Sequence, residues 1–202
     1  MIFNYIQPKE IYKLIFEWLT SKSVGEHATN SDFTIYQKKL WNPILNTIEE
    51  LRDKKDLSDE EKEFLESSIY SGDIFRVLNY NPRYRKYVRE MDEYQSWSKS
   101  TKGLSNIQGI HGEILLIIGE SEIGIDIFGL LCFLIKHKYI ENEEGFYSFE
   151  TIERYYLEEE VAFKTSFNKI EKIVVIDSND LIDYSKKIIR EIPKELWGRK
   201  KF

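Results

Sequence analysis

The hydrophobic period of the chain changes at Gly72, and that change limits the possible folds more than any composition figure does. Upstream, apolar residues recur at helical spacing: Ile11, Leu14, Ile15, Trp18 and Leu19 share one helix face, and Pro8 suits a first turn. A break follows over residues 21–31. Phe33, Tyr36, Leu40, Trp41, Ile44, Leu45, Ile48 and Leu51 then predict a second helix, interrupted or kinked near Pro43. In Leu57-Ser58-Asp59-Glu60-Glu61 an N-cap residue precedes acids in a first turn, which predicts a third helix ending near Gly72. These acids read as a solvated face, because residues 56–66 lack the sixth-position glycine of a calcium-binding loop.

Downstream the runs are short and β-like. Residues 73–78 alternate and are closed by the turn signal Asn79-Tyr-Asn-Pro82. Residues 113–118 form an apolar strand, Val161-Ala-Phe163 a short one, and residues 170–176 a β-branched one. Residues 123–135 fit either a strand or a buried helix starting at Asp126-Ile-Phe-Gly129, and residues 181–195 predict a closing amphipathic helix. The expected architecture is α+β, a helical N-terminal lobe on a mixed, mostly antiparallel β-core. Its expected divisions are 1–71, 72–178 and a C-terminal helix with basic tail at 179–202.

Several function classes are set aside on the sequence. The apolar stretch at 123–135 is shorter than the ~20 residues of a membrane span. The N-terminus lacks the basic start and apolar run of a secretory signal, so a cytoplasmic protein is expected. The single cysteine, Cys132, lies in an apolar stretch and reads as a buried small hydrophobe. His27, His111 and His137 stand in no metal-ligand spacing, so no metal is expected. A net charge of −6 argues against nonspecific duplex binding despite the basic end at 186–201, and nucleic acid ranks behind protein as a target. Gly119-Glu-Ser-Glu-Ile-Gly124 has P-loop glycine spacing, but Ile125-Asp126 stands where Lys and Ser/Thr are needed, and two acids would repel phosphate.

A sparser constellation remains: Arg76 within the first β-like run, the polar patch Ser96-Trp97-Ser98-Lys99-Ser100, and the triplet Glu158-Glu159-Glu160 entering Val161-Ala-Phe163. On an extended chain Glu158 and Glu160 share a face and Glu159 points away. Two carboxylates on one face suit glycosyl transfer, one stabilising an oxocarbenium-like centre and the other handling a proton.

The order Phe75-Arg76, Tyr94-Gln-Ser96-Trp-Ser98, Gly112-Glu-Ile-Leu-Leu-Ile-Ile, Gly124-Ile-Asp126-Ile, Glu158-Glu-Glu160-Val-Ala-Phe resembles mono-ADP-ribosyltransferases of the arginine–serine–glutamate type, which include bacterial toxins and small phage enzymes. The resemblance covers about residues 72–177 and leaves the helical lobe as an accessory region. It implies an ADP-ribosyltransferase-type β-core and NAD as substrate, with Arg76, Ser96 and Ser98 in the NAD-binding set. Ser96 would orient Glu160, which would hold the nicotinamide ribose as its glycosidic bond breaks. Glu158 would assist the acceptor, a glutamate there pointing to protein arginine. Val77 stands where the family often has glycine, and residues 99–108 lack its usual Ala and Phe. These departures motivate one alternative, a catalytically degenerate binding or inhibitory module; a second is an NAD glycohydrolase, in which water replaces the acceptor. Phe75 and Trp97 read as core or site-wall aromatics, with the core favoured. Tyr147, Tyr155 and Tyr156 lie where such transferases carry a target-recognition turn, with plain packing an equal alternative.

Overall fold

The computed structural model describes residues 2–21, 35–83, 94–140, 156–164 and 166–198. In chain order its elements are α1 (Pro8–Ser21), α2 (Asn42–Asp53), α3 (Asp59–Ser68), β1 (Ile69–Asn79), β2 (Tyr94–Ser98), α4 (Thr101–Leu104), β3 (Glu113–Asp126), α5 (Ile127–Lys136), β4 (Glu160–Lys164), β5 (Ile170–Asp177) and β6 (Arg190–Glu191). The chain forms two compact units. One comprises Met1–Ile69 and Ile125–Tyr155, the other Tyr70–Gly124 and Tyr156–Phe202.

The first unit is helical. The apolar stripe of α1 is buried at Ile11, Leu14, Ile15, Trp18 and Leu19, as its spacing predicts. A wide helical turn at Gln37–Trp41 leads into α2, whose second residue is Pro43, so the expected interruption lies one residue before the proline. Ser58 caps α3 reciprocally: its hydroxyl accepts from the Glu61 amide and the Glu61 carboxylate accepts from the Ser58 amide. A hydrogen bond from Lys54, then that backbone amide, lower the Glu61 carboxyl to about 2. Helix α3 ends at Ser68, earlier than expected, because the chain is already extended at Ile69.

The ambiguous stretch at 123–135 resolves into both alternatives. Strand β3 runs to Asp126, whose carboxylate accepts from the Gly129 amide at 3.0 Å and caps α5. Helix α5 closes onto α3 because position 129 has no side chain; a Cβ there would stand 1.8 Å from the Ser67 carbonyl oxygen. The Phe64 ring sits edge-on to Phe3 at 5.4 Å and to Phe133 at 5.3 Å. Beside them His137 approaches Glu63 at 3.2 Å and Glu60 at 3.5 Å. Cys132 is exposed, contrary to expectation. Leu130, Leu131, Phe133 and Leu134 take the buried face of α5, and Cys132 falls on the outer one.

The second unit carries a six-stranded sheet of order β1-β2-β4-β3-β5-β6, with β1 also pairing β3. The registered pairs, β1–β2, β2–β4, β3–β5 and β5–β6, are antiparallel. Alternate residues of β3 serve opposite faces: Leu115 and Ile117 pack with Ile74, Trp97, Ile173 and Val175, while Ile114 and Leu116 pack with Phe75, Leu104, Val174 and Ile176. Two covered faces explain why residues 114–118 read as one unbroken apolar run. Phe75 and Trp97 are core residues, as expected.

The closing helix predicted over 181–195 does not form. Tight turns at Ser178–Asp180, Tyr184–Lys186 and Lys194–Leu196 flank β6. The amides of Ile189 and Ile192 donate to Val175 and Ile173 carbonyls at 2.9 and 2.8 Å, so β5 takes the hydrogen bonds a helix would need. Pro193 also disfavours helical backbone at Ile192. Among the described residues no helix is long and apolar enough to cross a membrane.

Candidate functional site

Strands β2 and β4 build the candidate site through their register. Ser98 stands opposite Glu160, Trp97 opposite Val161, Ser96 opposite Ala162 and Gln95 opposite Phe163. Partners across an antiparallel ladder share a face, so Ser96, Ser98 and Glu160 rise together while Gln95 and Trp97 rise from the other face. The Ser96 hydroxyl crosses diagonally and donates to Glu160 Oε1 at 2.6 Å, joining positions 64 residues apart. Glu160 is 2% exposed. A buried carboxyl group gripped by a hydroxyl is held in one orientation, the placement that stabilising a positive charge developing beside it requires.

The other site residues lie differently from the sequence expectation. Ser98 is buried, and its hydroxyl lies 2.7 Å from the Glu158 carbonyl and 2.9 Å from that of Ser100, which ties the end of β2 to the turn before β4. The alternation argument for Glu158 and Glu160 fails, because β4 begins at Glu160 and the two preceding glutamates lie in a turn. Glu159 has φ of 52°, a left-handed backbone rare for glutamate, which breaks the period of two. Nor is Glu159 a bystander: its Oε2 accepts from the Ser100 hydroxyl. Sequence reasoning placed Ser100 in the polar patch but gave it no role; it also caps α4 by accepting from the Gly103 amide at 2.9 Å. The Ser-x-x-Gly spacing from Ser100 to Gly103 was the available signal.

Arg76 stands apart from the Ser96–Glu160 contact. Phe75 pairs with Ser98, so Arg76 takes the face that Ser96 turns away from, and its guanidinium donates to Gln95 Oε1 there. Desolvation pushes the guanidinium down to about 10, which leaves it a cation at neutral pH. Val77 packs against the cluster containing Phe75 and Leu104. Tyr156 is 58% exposed. Tyr147 and Tyr155 lie outside the described residues, as do His27 and Phe33 of the sequence reading and residues 199–202 of the basic tail. Among the described residues no group of three or more His, Cys, Asp and Glu side chains is placed to hold a metal ion. Comparison of the chain with protein-family models, with curated proteins and with solved structures found no match.

Proposed function

We infer that this protein is a mono-ADP-ribosyltransferase, transferring ADP-ribose from NAD to a protein nucleophile in a cytoplasmic setting, with arginine as the favoured acceptor. The observation that carries the reading is the 2.6 Å contact between the Ser96 hydroxyl and the buried Glu160 carboxylate on neighbouring antiparallel strands. A resemblance in motif order does not require those side chains to meet, and here they do. In this reading the bond between ribose C1′ and the nicotinamide nitrogen breaks, its electron pair leaves with nicotinamide, and the positive charge left on the ribose is stabilised by Glu160. The acceptor nitrogen then bonds to C1′ and surrenders a proton to Glu158. A guanidinium is a poor nucleophile until a proton is withdrawn, which a carboxylate can do and an amide cannot.

The test is incubation of the pure protein with labelled NAD and a bacterial lysate, following nicotinamide release beside label on protein. Glu160→Gln is expected to abolish both signals, and Glu158→Gln to lose transfer while keeping hydrolysis. Parent-level nicotinamide release by folded Glu160→Gln refutes the reading. A second reading, a catalytically inert module of the same core, is favoured by the placement of Arg76 on the face opposite Ser96. Calorimetry of Arg76→Ala separates the two: an active enzyme using Arg76 on NAD phosphate loses about ten- to a hundredfold in affinity. An inert module retains its partner and shows no NAD turnover.

A further inference from the structure

The turn that carries Glu158 has its carbonyls taken up one after another by the segment following Ser96. Leu157 O accepts from Asn106 Nδ2 at 2.8 Å, Glu158 O from the Ser98 hydroxyl at 2.7 Å, and Glu159 O from the Lys99 amide at 3.0 Å. A fourth tie joins the Ser100 hydroxyl to the Glu159 carboxylate. The approach is close enough that a Cβ at position 103 would lie 2.6 Å from Glu158 O and 2.3 Å from Ser98 Oγ, so the glycine is part of the fit. Three successive carbonyls held by donors about fifty to sixty residues away fix the path of a turn whose own backbone includes a left-handed glutamate. Leu157, at the turn's outer end, is 56% exposed and gains little from burial. Its hydrogen bond from Asn106, itself an exposed residue, is therefore a hold on this end of the turn that does not depend on the core.

We propose that Asn106 is a positioning residue for Glu158, and that the 98–106 segment thereby sets how effectively an acceptor competes with water for the ribosyl cation. The proposal rests on the ADP-ribosyltransferase reading and adds to it a residue outside the motifs that suggested it. Asn106 touches neither NAD nor acceptor. Its amide N–H fixes the turn, the turn fixes Glu158, and Glu158 draws the proton from the guanidinium. Hydrolysis of NAD needs Glu160, which is held independently by Ser96 and by the β2–β4 ladder.

The experiment compares the parent with Asn106→Ala, Asn106→Asp and Glu160→Gln, using agmatine as the guanidinium acceptor. Asn106→Asp removes the N–H donor and sets a carboxylate against the Leu157 carbonyl. It is expected to lower the kcat for agmatine transfer about tenfold, the scale of one net hydrogen bond, with the KM for NAD and nicotinamide release in the absence of agmatine within twofold. Asn106→Ala is expected to lie between it and the parent. Amide exchange supplies a readout free of turnover: the Lys99 and Glu159 amides are expected to exchange several-fold faster in Asn106→Asp while those of β3 and β5 keep the parent rate. A variant that loses transfer and hydrolysis in equal measure overturns the proposal, as does an unchanged transfer-to-hydrolysis ratio or unchanged exchange at Lys99 and Glu159. Absence of agmatine transfer by a parent that releases nicotinamide also overturns it. Nicotinamide release surviving in Glu160→Gln instead marks failure of the underlying transferase reading.

Discussion

Removing the Ser96 hydroxyl tests the central contact without presuming any substrate. In the parent, the hydroxyl donates to a carboxylate that is 2% exposed, at 2.6 Å. A hydrogen bond to a charged group in such a place contributes roughly 1.5–3 kcal/mol, against about 0.5–1.5 for a neutral pair. Ser96→Ala therefore destabilises by about 2 kcal/mol. With a urea dependence of about 2 kcal/mol/M, the unfolding midpoint falls by about 1 M. Glu160→Gln keeps an oxygen that can accept from Ser96 but removes the charge, so Ser96→Ala costs only about 1 kcal/mol in that background. The double-mutant cycle, measured by urea unfolding followed by circular dichroism, should close with a coupling of about 1 kcal/mol. If nicotinamide release accompanies the fold, Ser96→Ala should lower kcat more than it weakens NAD binding, because it withdraws orientation rather than a ligand contact. Single-mutant effects that add within ~0.3 kcal/mol refute the reasoning, since two groups in a buried hydrogen bond cannot act independently.

Three further outcomes follow from the structure. Glu61, lowered to about 2 by Lys54 and the Ser58 amide, gives a stabilisation complete above the ordinary carboxyl value of 4.5 and lost as pH falls through about 2; acid titration of stability should lose that limb in Glu61→Gln. Gly129→Ala would ordinarily favour a helix, but the Ser67 carbonyl lies 1.8 Å from the added carbon, so thermal unfolding should show a loss of about 1–3 kcal/mol, and an unchanged midpoint would contradict the close approach of α3 and α5. At position 159, with φ of 52°, glycine should be tolerated better than alanine by about 1 kcal/mol in urea unfolding, because both lose the Ser100 contact and only alanine keeps the strain.

The parts of this molecule that could be read from the sequence are those whose causes lie within a few residues. The Ser58–Glu61 capping box, the interruption before Pro43 and the unbroken apolar run of β3 each follow from local chemistry. The contact between Ser96 and Glu160 is one the family resemblance implied, and no local spacing predicts it. The closing segment was misread because its spacing is helical while its hydrogen bonds go to β5, and the one local sign against a helix, Pro193, was given no weight. Cys132 was misplaced because an apolar run does not reveal which helix face turns outward. Ser100 was left without a role, and Asn106 was missed, for a related reason. Their partners, Glu159 and Leu157, are more than fifty residues away and are brought there by a backbone conformation that glutamate seldom adopts. The face taken by Arg76 follows from the β1–β2 register, in which Phe75 stands opposite Ser98, and one residue of slip would have reversed it.

The interleaving of the two units along the chain sets an order of events during synthesis. Phe3 and Phe64 are translated early, but Phe133, which completes their ring cluster, belongs to a segment that emerges only after β1, β2 and β3. At about 5–20 residues/s, the ribosome takes roughly 3–13 s to pass from Ile69 to Phe133. For that interval the apolar faces of α1 and α3 are on the nascent chain without α5 to cover them. The sheet waits longer, since its Glu160 strand follows the whole helical excursion. A ribosome stalled near residue 124 would therefore hold a chain in which both units lack an essential piece, α5 in one and β4 in the other.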